Sequence, residues 1–373
     1  MLKTAIRFIV YDKPKSIGAL FGVVISIFLI GQQTGIFIFL TGMMSSLVDN
    51  TDTDIWVVDN RATNVSALGQ IDARYQRQIE ALPGIDHVYP LVIAGSSAKF
   101  ADGKSAGVTL VGSQAPAFVG GPWKISGGTT SNLLFDNAVT TDAFDKKLLG
   151  GAEIGTQFEI GGKQAKVMLQ TNGARGFGAS FVFTTIDRAR YYGNFPRNKV
   201  SALLIKVKPG TDTKQVVKMI DDNMFGVKAW TKKDFSAATV STILGSSGIA
   251  TSVGTLIIFA IIAGSIIIGL TLYSAATDRL KDYATLKAIG ATNAYVRKLI
   301  LSQALIFAII GYLIGVLLMY GFKLGIAKAG IMFSYSAEMY IAFAVVTLVI
   351  SMIGVVAAIR RITQVEPASV FRG

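Results

Sequence analysis

A four-helix membrane protein carrying a mixed α/β domain outside the bilayer is the predicted fold class, and three observations predict it. The chain of 373 residues is 51% hydrophobic with a mean hydropathy of +0.51, too apolar for an ordinary soluble domain. Four runs, at 16–42, 249–276, 299–322 and 337–359, are each long enough to cross a bilayer, which takes about 20 apolar residues. Between the first two runs, residues 43–248 have strand and helix patterns of their own, so this interval reads as a folded domain rather than a loop.

In chain order, residues 1–15 place Lys3 and Arg7 four apart among Leu2, Ile6, Ile9 and Val10, the pattern of an amphipathic helix lying on the cytoplasmic membrane surface. Positive charge ahead of an apolar run also describes a signal peptide, but the charge-free stretch 16–42 is too long for one. It reads as the first span. Gly18 with Gly22 and Gly31 with Gly35 put small residues on one stripe of it, as Ala260 and Gly264 do in the second span and Gly311 and Gly315 in the third. Such spacing permits close helix contact, and on spans one and two it is expected to serve packing and a dimer interface. Gln32 and Gln33 fall inside span one, where an unsatisfied amide is expensive; each is expected to bond a neighbouring helix or else to line a substrate path.

Within 43–248, Asp54 to Asp59 reads as a strand, 71–82 as a helix ended by Pro83-Gly84, and 88–100 and 108–111 as strands joined by the turn 101–104. A second unit follows as strand 202–207, helix 212–223 and strand 227–230. Two β-α-β units of this kind can make one split, ferredoxin-like sheet. Between them, residues 114–198 are rich in glycine and hairpin signals, with turns at Gly161-Gly162 and near 173–178, and read as an inserted lobe. The remaining segments are a charged elbow at 277–298, a short loop at 323–336 and a tail at 360–373.

The formal charge of +13 does not point to nucleic acid, which would need the cations gathered on one compact face with base-reading side chains. Lys3, Arg7, Lys13 and Lys15 precede span one, Arg279, Lys281, Lys287, Arg297 and Lys298 lie in the elbow, and Arg360, Arg361 and Arg372 follow span four. Against these twelve cations the same segments hold four acids, Asp12, Asp278, Asp282 and Glu366, an excess of eight. By the positive-inside rule the two termini and the elbow are cytoplasmic and the α/β domain faces the other side. The chain contains no cysteine, which removes disulfides, thiolate nucleophiles and Cys-ligated zinc.

Gly290 supplies a helix end, and Thr292 or Asn293 can cap the next helix, so the elbow reads as a helix, a tight turn and a restart. Leu280, Tyr283, Ala284 and Ile289 fall near one face of that helix, with Asp278, Arg279, Lys281, Asp282, Thr285 and Lys287 around the remainder. Asp278 with Lys281, and Arg279 with Asp282, are spaced to pair. A solvated cytoplasmic connector would show the same spacing. The wording is more specific: Leu286-Lys287-Ala288-Ile289-Gly290-Ala291 after a charged pair resembles the segment between spans two and three of FtsX- and MacB-like ABC transporter permeases, with permeases of the DevC type nearest in wording. Asp282-Tyr283 departs from it, standing where the family more often has Glu and a small or aliphatic residue. The strand-helix order of 43–248 with its lobe resembles the MacB-type periplasmic core domain, and Pro367 to Arg372 resembles the family's ending.

The resemblance implies a permease without its own ATPase, a homodimer working with two ATP-binding subunits in the bacterial inner membrane. ATP and magnesium would then belong to the partner ATPase, with no cofactor in this chain. It assigns Asp278, Arg279, Lys281, Asp282, Lys287, Gly290 and Ala291 to the coupling contact. Substrate handling would be mechanical and extracytoplasmic, with export of a lipid, glycolipid, drug or peptide, through a periplasmic adaptor and outer-membrane channel in some members. A membrane-anchored regulatory or binding protein of FtsX type is the alternative, and a membrane enzyme a third.

Chemistry has little support in the sequence. Gly103-Lys104-Ser105 imitates the end of a phosphate-binding loop, but Ala98 stands where its first glycine belongs. His87 is the sole histidine, which excludes a histidine metal cluster, and no Gly-x-Ser-x-Gly elbow accompanies it. Asn64-Val65-Ser66 matches a glycosylation acceptor, a pattern short enough to occur by chance.

Overall fold

The computed structural model describes residues 2–11, 13–278 and 280–363. The family-like ending 367–372 and Arg279 therefore lie outside the described residues. The chain opens with helices α1 (Leu2–Tyr11), α2 (Lys13–Met44) and α3 (Ser46–Asp49). Then come strands β1 (Ile55–Asp59) and β2 (Ile71–Asp72), helix α4 (Tyr75–Glu80), and strands β3 (Ile85–Lys99), β4 (Ser105–Ser113), β5 (Ile125–Gly127), β6 (Ala138–Asp142), β7 (Gln157–Ile160), β8 (Lys163–Thr171) and β9 (Ser180–Thr185). Helix α5 (Ile186–Gly193), strands β10 (Lys199–Val200) and β11 (Ala202–Val207), helix α6 (Thr213–Asn223), strand β12 (Val227–Thr231) and helix α7 (Lys232–Ser247) complete this part. Helices α8 (Ile249–Asp278), α9 (Leu280–Ala288), α10 (Asn293–Ala327) and α11 (Ala337–Thr363) finish the chain. Two compact units result, residues 1–39 with 249–373 and residues 40–248.

In the first unit, four helices are long and apolar enough to cross a membrane: Lys13–Met44, Ile249–Ala275, Asn293–Ala327 and Ala337–Val356. Without a hydrophobic driving force between helices in lipid, close backbone approach supplies the packing, and glycines mark the places. A Cβ at Gly22 would lie 2.6 Å from Ile267, and one at Gly18 would touch Thr271, both on α8. Gly264 returns the favour against Ser26 of α2, while Gly311 and Gly315 of α10 receive Val23 and Ile27. Gly269 and Gly354 bring α8 and α11 together. Ala260 is buried in the same bundle core.

The sequence reading also gave some of these stripes to a dimer. Gly31 instead faces Met319 of α10, and Gly35 faces Phe333 and Tyr335 of the 328–336 loop, within one chain. The Tyr335 hydroxyl donates to the Gly31 carbonyl at 2.7 Å, and Phe333, Tyr335, Tyr340 and Phe343 stack edge to face around it. Those two faces of α2 are therefore filled within the chain. Gln32 and Gln33 are half-buried on α2.

In the second unit the sheet runs β12-β1-β11-β3 with every neighbour antiparallel. This is the strand order that two split β-α-β units give. The expected helix 71–82 shrinks to α4, because Ile71 and Asp72 pair with Val200 and Lys199 as a small two-stranded sheet. Segment 114–198 extends the main sheet: β7 pairs with the end of β3, β8 follows β7 through the Gly161-Gly162 hairpin, and β9 lies parallel to β4. One large core includes Ile55, Leu110, Val182 and Ile205, and a second holds Trp56, Phe183, Leu204 and Phe235. A small satellite core of Phe118, Leu133, Ala138 and Leu169 sits in the extension.

Candidate coupling site at the elbow

The elbow is built by the end of α8, helix α9 and the start of α10. α9 ends as a six-to-one, five-to-two turn: the Ala291 amide donates to the Leu286 carbonyl at 2.9 Å and the Gly290 amide to Lys287 at 3.0 Å. Gly290 occupies the left-handed position at φ 101°, which a side chain would strain. Two residues later Thr292 caps α10, its hydroxyl oxygen accepting the Tyr295 amide at 3.2 Å. Helix, turn and restart therefore follow from Gly290 and Thr292, with Thr292 rather than Asn293 as the cap.

Two side chains fix α9 to the bundle. Tyr283 and Ala284 are 2% and 0% exposed and belong to one apolar cluster with Ala5 of α1 and Val296, Leu299 and Ile300 of α10. Lys287 is half-buried, and burial pushes its ammonium below the ordinary lysine range. Asp282, Gly290, Arg297 and Lys298 are exposed and Ala291 is half-buried.

One expectation is corrected and one residue gains a partner. Ile289, placed by periodicity on the buried face, is 77% exposed, because helical periodicity stops at Ala288 and the turn swings the next side chain outward. Asp278 pairs with Lys15 of α2, whose ammonium also reaches the Ser274 carbonyl at 3.5 Å, so it is not confined to its own helix for a partner. The pair joins span one to the end of span two. In sequence Lys15 read only as a topological charge and Asp278 as a local partner of Lys281, and nothing in their spacing, 263 positions apart, could have matched the two. Arg279 lies outside the described residues and Lys281 is placed on α9 by its backbone.

The α/β domain carries a second charged constellation that sequence reasoning missed. Asp142, fully buried at the end of β6, accepts from the Phe144 amide at 3.0 Å, the Thr171 hydroxyl at 2.8 Å, and the Gly173 and Ala174 amides at 2.6 and 2.8 Å. Arg175 donates to Asp145 at 3.1 Å, approaches Asp142 at 3.9 Å and covers the Phe144 ring. The Ser46 hydroxyl of α3 donates to the Arg175 carbonyl at 2.7 Å. Burial raises the Asp145 carboxyl above the ordinary aspartate range despite Ser180 and Arg175. This arrangement ties the 172–178 loop to β6 and α3; it is a structural latch.

The motifs set aside in sequence stay apart from any site. Gly103-Lys104 is the β3–β4 hairpin turn, with the Lys104 amide bonded to the Asp102 carboxylate at 3.0 Å. His87 is an exposed strand residue 3.2 Å from Asp86. Among the described residues, no group of three or more His, Cys, Asp or Glu side chains could hold a metal ion.

A bundle of four membrane-length helices with a split-sheet domain inserted after the first defines a polytopic membrane protein of permease type. Residues 16–223 match the MacB-like periplasmic core domain and residues 254–367 the FtsX-like permease C-terminal domain; the chain belongs to this FtsX/MacB permease family. Two proteins of Mycobacterium tuberculosis, from the CDC 1551 and H37Rv strains and described as uncharacterised ABC transporter permeases, are 30% identical over 112 residues. That match spans 30% of this chain and 31% of the length of each relative. Among solved structures, the periplasmic region of MacB from Actinobacillus actinomycetemcomitans overlays with a TM-score of 0.39 at 10% identity, covering 54% of this chain and 99% of that one. The extracellular domain of the ABC-type transporter YknZ from Gram-positive bacteria gives a TM-score of 0.34 at 12% identity, covering 48% and 98%.

Proposed function

We propose that this chain is the membrane subunit of an ABC export system, which receives ATP-driven motion from a separate ATPase at the elbow and passes it to an extracytoplasmic α/β domain. The carrying observation is the elbow's construction. Tyr283 and Ala284 bury one side of α9, the Lys15–Asp278 pair joins α8 to α2, and Asp282 of α9 with Ile289 and Gly290 of the turn are open to solvent. Ile289 on a turn of fixed backbone geometry, with exposed Asp282 on the adjoining helix, offers a partner an apolar and a charged contact together.

In this reading Asp278, Arg279, Lys281, Asp282, Lys287, Gly290 and Ala291 form or support the ATPase contact, and ATP and magnesium reside in that partner. The chain works as a homodimer in the inner membrane with both termini cytoplasmic, as its positive-inside charge supports. The DevC-like wording of the elbow favours a lipid or glycolipid cargo over a drug or peptide, passed onward with a periplasmic adaptor. A cysteine placed at Asn137 reacts with an impermeant thiol reagent in intact spheroplasts and one at Thr285 does not; the reverse pattern overturns the topology. The functional test is Asp282→Lys with Ile289→Glu. Membrane abundance stays normal while ATPase capture and its stimulated hydrolysis are lost; full retention of both reduces the elbow to a connector.

A further inference from the structure

A cleft of about 520 Å³ in the α/β domain, apart from the elbow and the Arg175 latch, is lined by Lys163, Asp187, Arg190, Tyr191, Phe195 and Arg197. Three cations against one carboxylate leave it a net charge of +2, and that carboxylate, Asp187, is itself 95% exposed. Part of this charge has a local use. Lys163 meets the Tyr191 carbonyl at the end of α5 and the Asn194 side-chain oxygen at 2.9 Å, and stands 4.2 Å over the Tyr191 ring, so it serves as a cation at a helix C-terminus. Arg190 donates one Nη to the Lys199 carbonyl at 3.1 Å and reaches Asp187 at 3.5 Å, and its Nε is buried with no hydrogen-bond partner. These contacts fix where the two side chains stand.

Arg197 is different. It lines the cleft, is exposed, and forms no ion pair among the described residues. Its guanidinium is a planar fork that matches a pair of oxygens on one centre, while Lys163 and the anchored Arg190 add positive charge to the same lining. Tyr191, exposed over half its surface, and half-buried Phe195 add an apolar wall beside the charge.

We propose that this cleft binds a phosphate monoester, whose charge of about −1.5 to −2 at pH 7 matches the lining, with the attached organic body resting on Tyr191 and Phe195. The site is independent of the transport reading. The phosphate can come from a lipid headgroup or from a soluble phosphate, and the test separates them. The full chain in zwitterionic detergent is titrated by calorimetry with dioctanoyl phosphatidic acid, with glycerol 3-phosphate and with inorganic phosphate. Saturable binding to wild type is expected, weakened roughly tenfold or more in Arg197→Glu, and unchanged in Lys218→Glu, which alters net charge on α6 away from the cleft. Tighter binding of phosphatidic acid than of both soluble probes assigns the site to a lipid headgroup; equal binding of the two soluble probes, with no gain from acyl chains, assigns it to free phosphates. Lowering the pH from 7 to about 5.5 weakens binding as the phosphate loses its second charge, since its second pKa is about 6. No saturable binding of any probe, or equal losses in Arg197→Glu and Lys218→Glu, overturns the proposal.

Discussion

In the helical bundle, glycines sit inside helices, at Gly22, Gly264, Gly311, Gly315 and Gly354, and each one brings a neighbouring side chain or backbone into the space a Cβ would fill. The α/β domain places most of its glycines at left-handed turns instead, such as Gly161-Gly162 in the β7–β8 hairpin, and takes its tight interior contacts from buried polar groups. The difference follows from solvent. Water drives apolar side chains together in the domain, so backbone freedom at the turns is what the sequence must supply. Lipid tails give the bundle no such drive, so helices adhere through proximity.

If that contrast holds, the largest effect of a single substitution belongs to the latch in the α/β domain. Arg175→Leu leaves Asp142 and Asp145 buried without their cation, and losing one partner of a buried pair costs about 3 to 5 kcal/mol. Thermal unfolding of the full chain is expected to lose the transition of the α/β domain while the bundle's helical signal persists. A loss below about 1 kcal/mol, the size of an exposed pair, would show that the amides around Asp142 suffice alone.

In the bundle the matching change is Gly315→Leu, which drives a side chain into Ile27. Overpacking costs roughly 1 to 3 kcal/mol, so a lowered melting temperature in detergent is expected, with the α/β transition unmoved. Gly325→Leu on the same helix has open space around the added atoms and serves as the neutral control. Equal effects at the two positions would break the argument from proximity.

The spans were legible because crossing a bilayer demands one long charge-free run, and the βαβ units because their strands and helices alternate at short range. Sheet neighbours far apart in sequence were not. β4 and β9 pair in parallel across some 70 positions, and no local pattern encodes that choice. Tyr335 donating to Gly31 illustrates the same limit in the bundle, since Gly35 looked like an interhelical stripe and turned out to be the floor under a loop. At the elbow, Gly290 and Thr292 were readable because their roles are local, whereas Ile289 was misplaced by extending helical periodicity one residue too far.

Gly290 tests whether the bundle unit also has one position where backbone freedom matters more than proximity. Nothing lies within 4 Å of a Cβ built there, yet its φ is 101°. Gly290→Ala therefore costs about 1 to 2 kcal/mol of local strain and no packing. It should fray the end of α9, raising hydrogen exchange at the amides of Ala291 and residue 290, which donate to Leu286 and Lys287, while leaving the melting temperature of the α/β domain unchanged. An unaltered exchange rate would mean that the turn tolerates a side chain.

The smallest effect contrasts charge on the rim of the α/β domain with charge in its interior. Asp72 on β2 is held at a pKa of about 2, first by the Arg74 side chain at 3.0 Å and then by the Arg74 amide. A carboxyl with a depressed folded pKa contributes stability that is present above its unfolded value, near 4, and lost as the pH falls toward 2. Asp145 has the opposite sign: its pKa is raised by burial, so the native state binds a proton more readily than the unfolded one and this group alone favours folding as the pH drops through that region. Arg74→Ala should therefore flatten the loss of domain stability between about pH 4 and 2, because it removes the largest cause of the depression and leaves only the amide of residue 74 and Lys199 to hold the Asp72 carboxyl down. The group is solvent-exposed, so the change is expected to be small and to shrink further in high salt. Unfolding midpoints of wild type and variant at pH 7, 4 and 2.5 decide it: curves that stay parallel throughout would assign the acid sensitivity to other carboxylates, with the Asp52–Lys206 pair the next to change.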